Sequence, residues 1–291
     1  MTVTLENDLL TAIIAEDGAE LISLKNKKTG VEYIWQGDPT FWGRHAPVLF
    51  PFVGRLKEDQ YTYNQQTYPM GQHGFARDQV FEVLEHGAAF VSLSLKSSPK
   101  TKKVYPFDFE LVLTYQLIGT ELTVGYQVSN IGTEDLLFSI GGHPAFNVPL
   151  EQHLAFEDYY LSIEPKMARV QIPLSGPYAD LEHKTLGQTI ADFDLKRGLF
   201  ENDALIYETP GETSFTIKSE KGAHSITLKY EDIPLVGIWS PSHIEAPFVC
   251  IEPWWGLADA VDASGRLQDK YGINRLPVGD LFKTSYTIAV N

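Results

Sequence analysis

The stretch FDFELVLTYQLIGTELTVGYQV, residues 107–128, decides the fold class of this chain. Its apolar residues alternate with mostly polar ones in two runs, which is the period of two expected for a half-buried β-strand. The alternating apolar positions are Phe107, Phe109, Leu111, Leu113, Tyr115 and Leu117 in the first run, and Leu122, Val124, Tyr126 and Val128 in the second. Gly119 and Thr120 separate the runs and supply a turn. The stretch therefore predicts an antiparallel hairpin whose apolar sides face one core.

Similar runs, separated by Gly, Pro, Asn or Asp, continue on both sides of this hairpin. Further strands are predicted at 9–14, 20–24, 90–95, 136–140, 214–218, 225–230, 236–239, 248–251 and 285–290. No long helical pattern interrupts them, and segment 175–198 mixes turn residues with short apolar pieces, so we expect little regular structure there. The sequence predicts an all-β protein, a large sandwich that forms one domain over residues 1–291.

The composition argues against several classes of function. A formal net charge of −15 repels phosphate backbones, so nucleic acid is not an expected partner. Neither a Walker-type loop nor a G-x-G-x-x-G loop occurs, which leaves nucleotide chemistry without support. The first residues lack the pattern of a secretory leader, and no apolar stretch reaches the ~20 residues of a membrane helix. We expect a cytoplasmic protein without membrane contact.

Cys250 is the only cysteine of the chain, so no intrachain disulfide forms. It lies in the apolar run FVCI, residues 248–251, which favours a buried structural thiol. The alternative is a nucleophile activated by a histidine.

Titratable residues stand where several strand patterns stop, the usual way that a β scaffold holds reactive groups at the rim of a cleft. These residues are Arg55, His73, His143, Asp203 and Glu252. The two histidines are flanked by glycines that permit close approach of a ligand to the backbone. The same five residues are therefore candidates for one ligand site.

The motifs that carry these residues occur in a recognisable order: GRL, QHGF, GGHPAFN, ENDALIY and FVCIEPWW. Together they resemble the galactose mutarotase-like superfamily and, within it, the aldose 1-epimerase family and its LacX-like group. The resemblance spans most of the chain. It implies a single β-supersandwich domain and an isomerase that interconverts the α and β anomers of a sugar.

The resemblance also implies roles for individual residues. His143 matches the general acid of the family, Glu252 the general base, and His73 a histidine beside the ring oxygen and the anomeric carbon. Arg55 and Asp203 match a pair that binds sugar hydroxyls. Around the base, Pro253, Trp254 and Trp255 replace the more polar context of the hexose mutarotases.

Elementary chemistry agrees with an acid and a base at this site. Exchange of anomers needs one group to take the proton from the C1 hydroxyl and another to protonate the ring oxygen, so that the hemiacetal opens. A carboxylate and an imidazolium can do both, which predicts a pKa for His143 near the operating pH. Metal and cofactor are not required, and the only expected ligand is a small sugar. Whether the chain forms a homodimer stays open.

Each candidate also has a structural interpretation. Glu252 could be a buried carboxylate satisfied by backbone donors, and His143 could brace a tight turn. Arg55 and Asp203 could form a salt bridge with each other.

The aromatic residues and one more histidine are also ambiguous. Trp239, Trp254 and Trp255 could belong to the core or form a platform for the sugar, and Trp239 is included among the binding candidates. His45, in the segment WGRH, is a further binding candidate.

Three other functions compete with the mutarotase. A hexose-6-phosphate 1-epimerase would use the same acid and base together with cationic groups for the phosphate, which Arg44, Arg55 and Arg77 could supply if they converge beside the pocket. A non-catalytic sugar-binding protein would keep the fold alone. A metal-dependent enzyme ranks last, because His45, His73 and His143 lack the close spacing of a histidine metal motif.

Overall fold

The computed structural model describes residues 1–291 and is built almost entirely from β-strands, numbered here along the chain. A nine-stranded antiparallel sheet contains, in spatial order, β19 (Phe193–Asp194), β14 (Tyr160–Glu164), β21 (Thr213–Lys218), β22 (Ile226–Tyr230), β26 (Leu281–Val290), β10 (Glu121–Asn130), β9 (Phe109–Ile118), β8 (Phe90–Lys96) and β7 (Glu82–His86).

An eight-stranded sheet contains, in spatial order, β18 (Thr185–Gly187), β15 (Arg169–Ile172), β20 (Leu205–Glu208), β23 (Leu235–Trp239), β24 (Phe248–Trp255), β12 (Ile140–Gly142) and β4 (Val48–Leu49), with β13 (Ala145–Asn147) also paired to β24. Strand β24 is the centre of this sheet because three strands pair with it. It is buried along its whole length.

Smaller sheets and turns complete the molecule. Strands β1 (Thr2–Glu6), β2 (Leu10–Ala15) and β3 (Leu21–Asn26) form one sheet, and three pairs are β5 (Gln60–Tyr63) with β6 (Gln66–Pro69), β11 (Leu136–Phe138) with β25 (Asn274–Leu276), and β16 (Leu174–Ser175) with β17 (Tyr178–Ala179). The helical segments are short 3₁₀ turns at Lys57–Asp59, Ala76–Asp78, Thr101–Lys103, Phe156–Asp158, Arg197–Phe200 and Leu267–Asp269. None of them has the length and apolar character that a membrane crossing requires.

The predicted hairpin is confirmed. Strands β9 and β10 pair in antiparallel register from Glu121 opposite Ile118 to Asn130 opposite Phe109. Burial alternates along both strands, and the alternating apolar side chains belong to a core cluster of 64 buried residues. The cluster includes residues of both large sheets, so the apolar faces that the sequence predicts form the filling of a β sandwich.

Two local predictions need correction. The predicted strand 136–140 is two strands of different sheets, β11 and β12, that are separated at Ser139, whose backbone N–H donates to the Pro51 carbonyl at 2.7 Å. Segment 175–198 contains more strand than expected, because β17, β18 and β19 lie within it, although each has only two or three residues.

Candidate active site

Glu252 lies near the middle of β24, opposite Gly237 of β23. Its side chain is 2% exposed, and its Oε2 atom accepts no hydrogen bond. Burial raises the pKa of Glu252 well above its ordinary value, and the negative charge of Asp203 raises it further. The indole N–H of Trp254 acts in the opposite direction, although it does not reach the geometry of a full hydrogen bond.

His143 faces Glu252 because the chain leaves β12 and enters β13 beside it. Both strands pair with β24, and the gap between them falls at His143 and Pro144, where the Pro144 carbonyl accepts the Ile251 N–H at 3.2 Å. The Nε2 atom of His143 is 3.3 Å from Oε2 of Glu252. The Trp42 ring stacks on the imidazole with centroids 4.8 Å apart, and the Trp239 ring meets it edge-on at 6.0 Å.

The pKa of His143 is lowered to about 3, chiefly by burial and further by the positive charges of Arg77 and Arg44. This corrects the expectation of a pKa near the operating pH. The ring is neutral in the closed apolar surroundings of the resting site.

His73 comes from a tight turn, with φ of +68°, between Gly71 and Gly74. Its Nδ1 atom accepts the Gly54 N–H at 3.1 Å, so the neutral ring carries its proton on Nε2. Burial lowers the pKa of His73 well below its ordinary value, with the His143 ring and Arg77 adding to the effect. His73 is thus a fixed neutral donor whose ring lies 5.6 Å from that of His143.

The backbone around this donor requires glycine. Gly54 has a φ of +73°, and a Cβ atom there would lie 2.6 Å from the Cβ of Ala258. A larger residue would therefore move the N–H group that fixes the tautomer of His73.

Arg55 and Asp203 lie at the outer edge of the site. The Arg55 side chain is 40% exposed, contacts Asp59 at 3.5 Å and donates to the Gln72 amide oxygen at 3.3 Å. Asp203 is exposed, has a φ of +70°, and accepts the Ala204 N–H at 2.8 Å through its side chain. The two residues do not form the mutual salt bridge that the sequence left open.

These side chains surround one cavity of about 300 Å³. Six of the predicted site residues line it: Arg55, His73, His143, Asp203, Trp239 and Glu252. We call the buried groups His73, His143, Glu252 and Trp254 the inner wall, and Arg55, Arg77 and Asp203 the rim. Long-range pairing brings them together from distant parts of the chain.

His45 is not part of the cavity, contrary to the sequence prediction. Its backbone N–H donates to the Glu20 carboxylate at 2.7 Å, and its ring lies 3.8 Å from that carboxylate. Its carbonyl accepts the Ala145 N–H at 2.9 Å. His45 therefore has a structural position in the segment that leads from Trp42 to β4.

Cys250 is completely buried and does not line the cavity. Burial raises the pKa of its thiol well above the ordinary value, and the charge of Glu252 adds to this. A protonated thiol is a poor nucleophile, so the structural interpretation is favoured.

Sequence reasoning assigned no individual site role to Trp42 and Gln72, which both line the cavity, and considered Arg77 only as a phosphate ligand. Arg77 follows the QHGF motif by two residues in the 3₁₀ turn Ala76–Asp78, and that proximity is the signal that could have placed it beside His73. Its Nη2 atom donates to the Gln72 carbonyl at 2.8 Å, while its buried Nε atom has no hydrogen-bond partner and lies 3.9 Å from the Asp78 carboxylate.

The sandwich has the fold of galactose mutarotase-like proteins. A galactose mutarotase related enzyme from Lactobacillus acidophilus superposes with a TM-score of 0.98 at 42% identity, over 100% of this chain and 97% of that one. A galactose mutarotase-like protein from Lactobacillus casei ATCC 334 superposes with a TM-score of 0.90 at 36% identity, over 100% of both chains.

The sequence comparisons agree with the structural ones. The family model described as aldose 1-epimerase matches residues 1–267, and the chain belongs to that family. The chromosomal protein LacX of Lactococcus lactis subsp. lactis is 34% identical over 300 residues, which cover 100% of this chain and 99% of that protein. The resemblance drawn from the five motifs is therefore confirmed.

Proposed function

We propose that the protein is an aldose 1-epimerase, with Glu252 as general base and His143 as general acid. The observation that carries the proposal is the contact of 3.3 Å between the His143 Nε2 and Glu252 Oε2 atoms in the wall of a sugar-sized cavity. Both groups are buried, and a sugar in the cavity could place its C1 hydroxyl and its ring oxygen within reach of them.

In this mechanism the pair holds one proton throughout. From the neutral resting pair, transfer of the Glu252 proton to His143 across the 3.3 Å contact gives a carboxylate and an imidazolium. The carboxylate then takes the proton of the C1 hydroxyl, and the imidazolium gives its proton to the ring oxygen. Both groups are then neutral, which is the state that burial favours for each of them. Rotation about the C1–C2 bond and reversal of the two transfers deliver the other anomer.

His73 serves as a hydrogen-bond donor rather than as the acid. Its Nδ1 atom already accepts the Gly54 N–H, so a second proton on the ring would break that bond. Its Nε2 atom lies 3.2 Å from the Gln72 side-chain amide and, as the protonated nitrogen of the ring, is the atom that can donate to an oxygen of the sugar.

The first experiment is a screen of anomer exchange by polarimetry or NMR. It uses galactose, glucose and several pentoses, each corrected for uncatalysed exchange. We expect at least one aldose to be exchanged by the wild type and not by Glu252→Gln. Binding without exchange for every sugar would instead identify a non-catalytic sugar-binding protein.

A second candidate, a hexose-6-phosphate 1-epimerase, is favoured by the position of Arg77. Arg55 and Arg77 both line the cavity, whereas Arg44 does not. Arg44 contacts one oxygen of Asp78 at 2.6 Å. The Nε atom of Arg77 lies 3.9 Å from the other oxygen and has no hydrogen-bond partner. Such a guanidinium suits a phosphate group.

The variant Arg77→Gln separates the two candidates. If the substrate is a 6-phosphate, we expect kcat/KM for it to fall at least ~10-fold, because a hydrogen bond to a charged group contributes about 1.5–3 kcal/mol. Exchange of the free sugar should change little in the same variant. An equal effect on both sugars would remove the support for the second candidate.

A further inference from the structure

Three potential metal ligands of different chemistry meet at the inner wall. A nitrogen of His143, the sulfur of Cys250 and a carboxylate oxygen of Glu252 all lie within 4.8 Å of one another. Cys250 and Glu252 are two residues apart on β24, so their side chains extend from the same side of the strand. His143 approaches that side from the gap between β12 and β13.

The spacing of these atoms is close to that of a metal site. Bonds of 2.0–2.3 Å to a tetrahedral zinc ion place two ligand atoms roughly 3.3–3.7 Å apart. The His143 and Glu252 atoms already satisfy this at 3.3 Å. The sulfur would have to move by about 1 Å at most to satisfy it too, which a change of side-chain torsion supplies.

The site also contains an unused acceptor. Oε2 of Glu252 is buried without a hydrogen-bond partner, although Glu252 is only 2% exposed. Most buried acceptors in proteins have a hydrogen-bond partner, and a bound ion would explain the exception here.

We propose that His143, Cys250 and Glu252 form a site for a thiophilic divalent cation such as Zn²⁺ or Cd²⁺, and that the bound cation reversibly blocks the cavity. An ion that enters through the cavity contacts His143 and Glu252 first, since both line it. Cys250, which lies behind the cavity wall, is the third ligand. Three protein ligands leave a fourth position open to water or a sugar hydroxyl.

The charges balance in the occupied site. Coordination displaces the thiol proton of Cys250 and the single proton that His143 and Glu252 share, and both protons leave to solvent. One thiolate, one carboxylate and one neutral imidazole then neutralise the divalent ion, which a buried site requires. Both proton-transfer groups are occupied, so anomer exchange stops.

The test titrates the wild type and the variants Cys250→Ala and Cys250→Ser with ZnCl₂ and with CdCl₂. Because Cys250 is the only cysteine, a cadmium–thiolate absorption band can come from no other residue. We expect this band in the wild type, with inhibition that EDTA reverses. Both variants should lack the band and need at least ~10-fold more metal for the same inhibition, as loss of even an outer partner of a metal site weakens affinity by 10–100-fold.

The variants should retain metal-free activity, since Cys250 does not line the cavity. EDTA alone should leave wild-type activity unchanged. Inhibition of the same strength in the wild type and both variants, or absence of the band, overturns the proposal. The band does not depend on activity, so a protein that exchanges no aldose can still confirm or refute the metal site independently of the proposed function.

Discussion

The inner wall and the rim of the cavity differ in burial, and the difference parallels the proposed division into proton-transfer and sugar-binding residues. On the inner wall, His143 and Glu252 are almost inaccessible to solvent, and burial shifts both pKa values toward the neutral forms. On the rim, Arg55 is 40% exposed and Asp203 is exposed to solvent, so both side chains are accessible to sugar hydroxyl groups. The two groups that we propose to gain and lose protons are thus the ones placed at low dielectric.

Replacement of Glu252 by Gln should have the largest effect. The amide keeps the shape of the side chain but cannot accept the C1 proton, so we expect kcat to fall by ~10⁴-fold, the upper end of the range for a positioned proton-transfer group. Polarimetric rates corrected for uncatalysed exchange measure this. Activity close to that of the wild type would show that Glu252 is not the base.

The same variant should not be less stable than the wild type. A buried carboxyl group with an unpartnered oxygen contributes little to the folded state, and a neutral amide needs no compensating charge. A thermal unfolding midpoint well below that of the wild type would mean that Glu252 also holds the inner wall together.

Replacement of His143 by Asn should lower kcat by ~10²–10³-fold while sugar affinity is kept, since the acid is lost and the rim remains. Calorimetric titration beside polarimetric rates separates binding from turnover. Loss of affinity with an unchanged kcat would make His143 a binding residue, and the acid would then have to be His73.

The alternating apolar pattern predicts the frame of this site but not its connections. Strands β9 and β10 follow from local alternation alone, because each exposes one face to the core. The break at Ser139 does not, since residues 136–140 are all buried and show no period. What separates β11 from β12 is pairing with partners that are distant in sequence.

The candidate residues divide in the same way. The motifs GGHPAFN and FVCIEPWW single out His143 and Glu252 as the proposed acid and base, and strand pairing brings both to one cavity. His45 has the same residue type as His143, but its ring lies 3.8 Å from the carboxylate of Glu20, which belongs to a different part of the chain. The sequence gives the two histidines different roles, but only the folded geometry shows that His45 lies outside the cavity.

Replacement of Asp203 by Asn tests the rim with a smaller effect. Loss of a charged hydroxyl partner should raise KM by about 10-fold, as such a hydrogen bond contributes about 1.5–3 kcal/mol, while kcat changes little. The negative charge of Asp203 also raises the pKa of Glu252. Its removal should therefore shift the alkaline limb of the rate profile, where the pair loses its single proton, to lower pH. A large fall in kcat with unchanged KM would contradict a binding role.

Replacement of Trp254 by Phe should have the smallest effect and the opposite sign. The Trp254 ring packs against Gly141, where a Cβ atom would lie 2.7 Å from the indole, so the smaller Phe ring fits without new contacts. The indole N–H lowers the pKa of Glu252, so its removal should raise that pKa further and move the alkaline limb to higher pH. The matched control is Trp255→Phe, because Trp255 packs beside Tyr126 and Phe282 in the core and does not line the cavity. The measurement is the pH dependence of the exchange rate in the two variants. If the alkaline limb moves equally in both variants, the shift comes from loosened packing rather than from the lost N–H group. If it moves in Trp254→Phe alone, and in the direction opposite to that in Asp203→Asn, then Trp254 of the inner wall and Asp203 of the rim both act on the proton shared by His143 and Glu252.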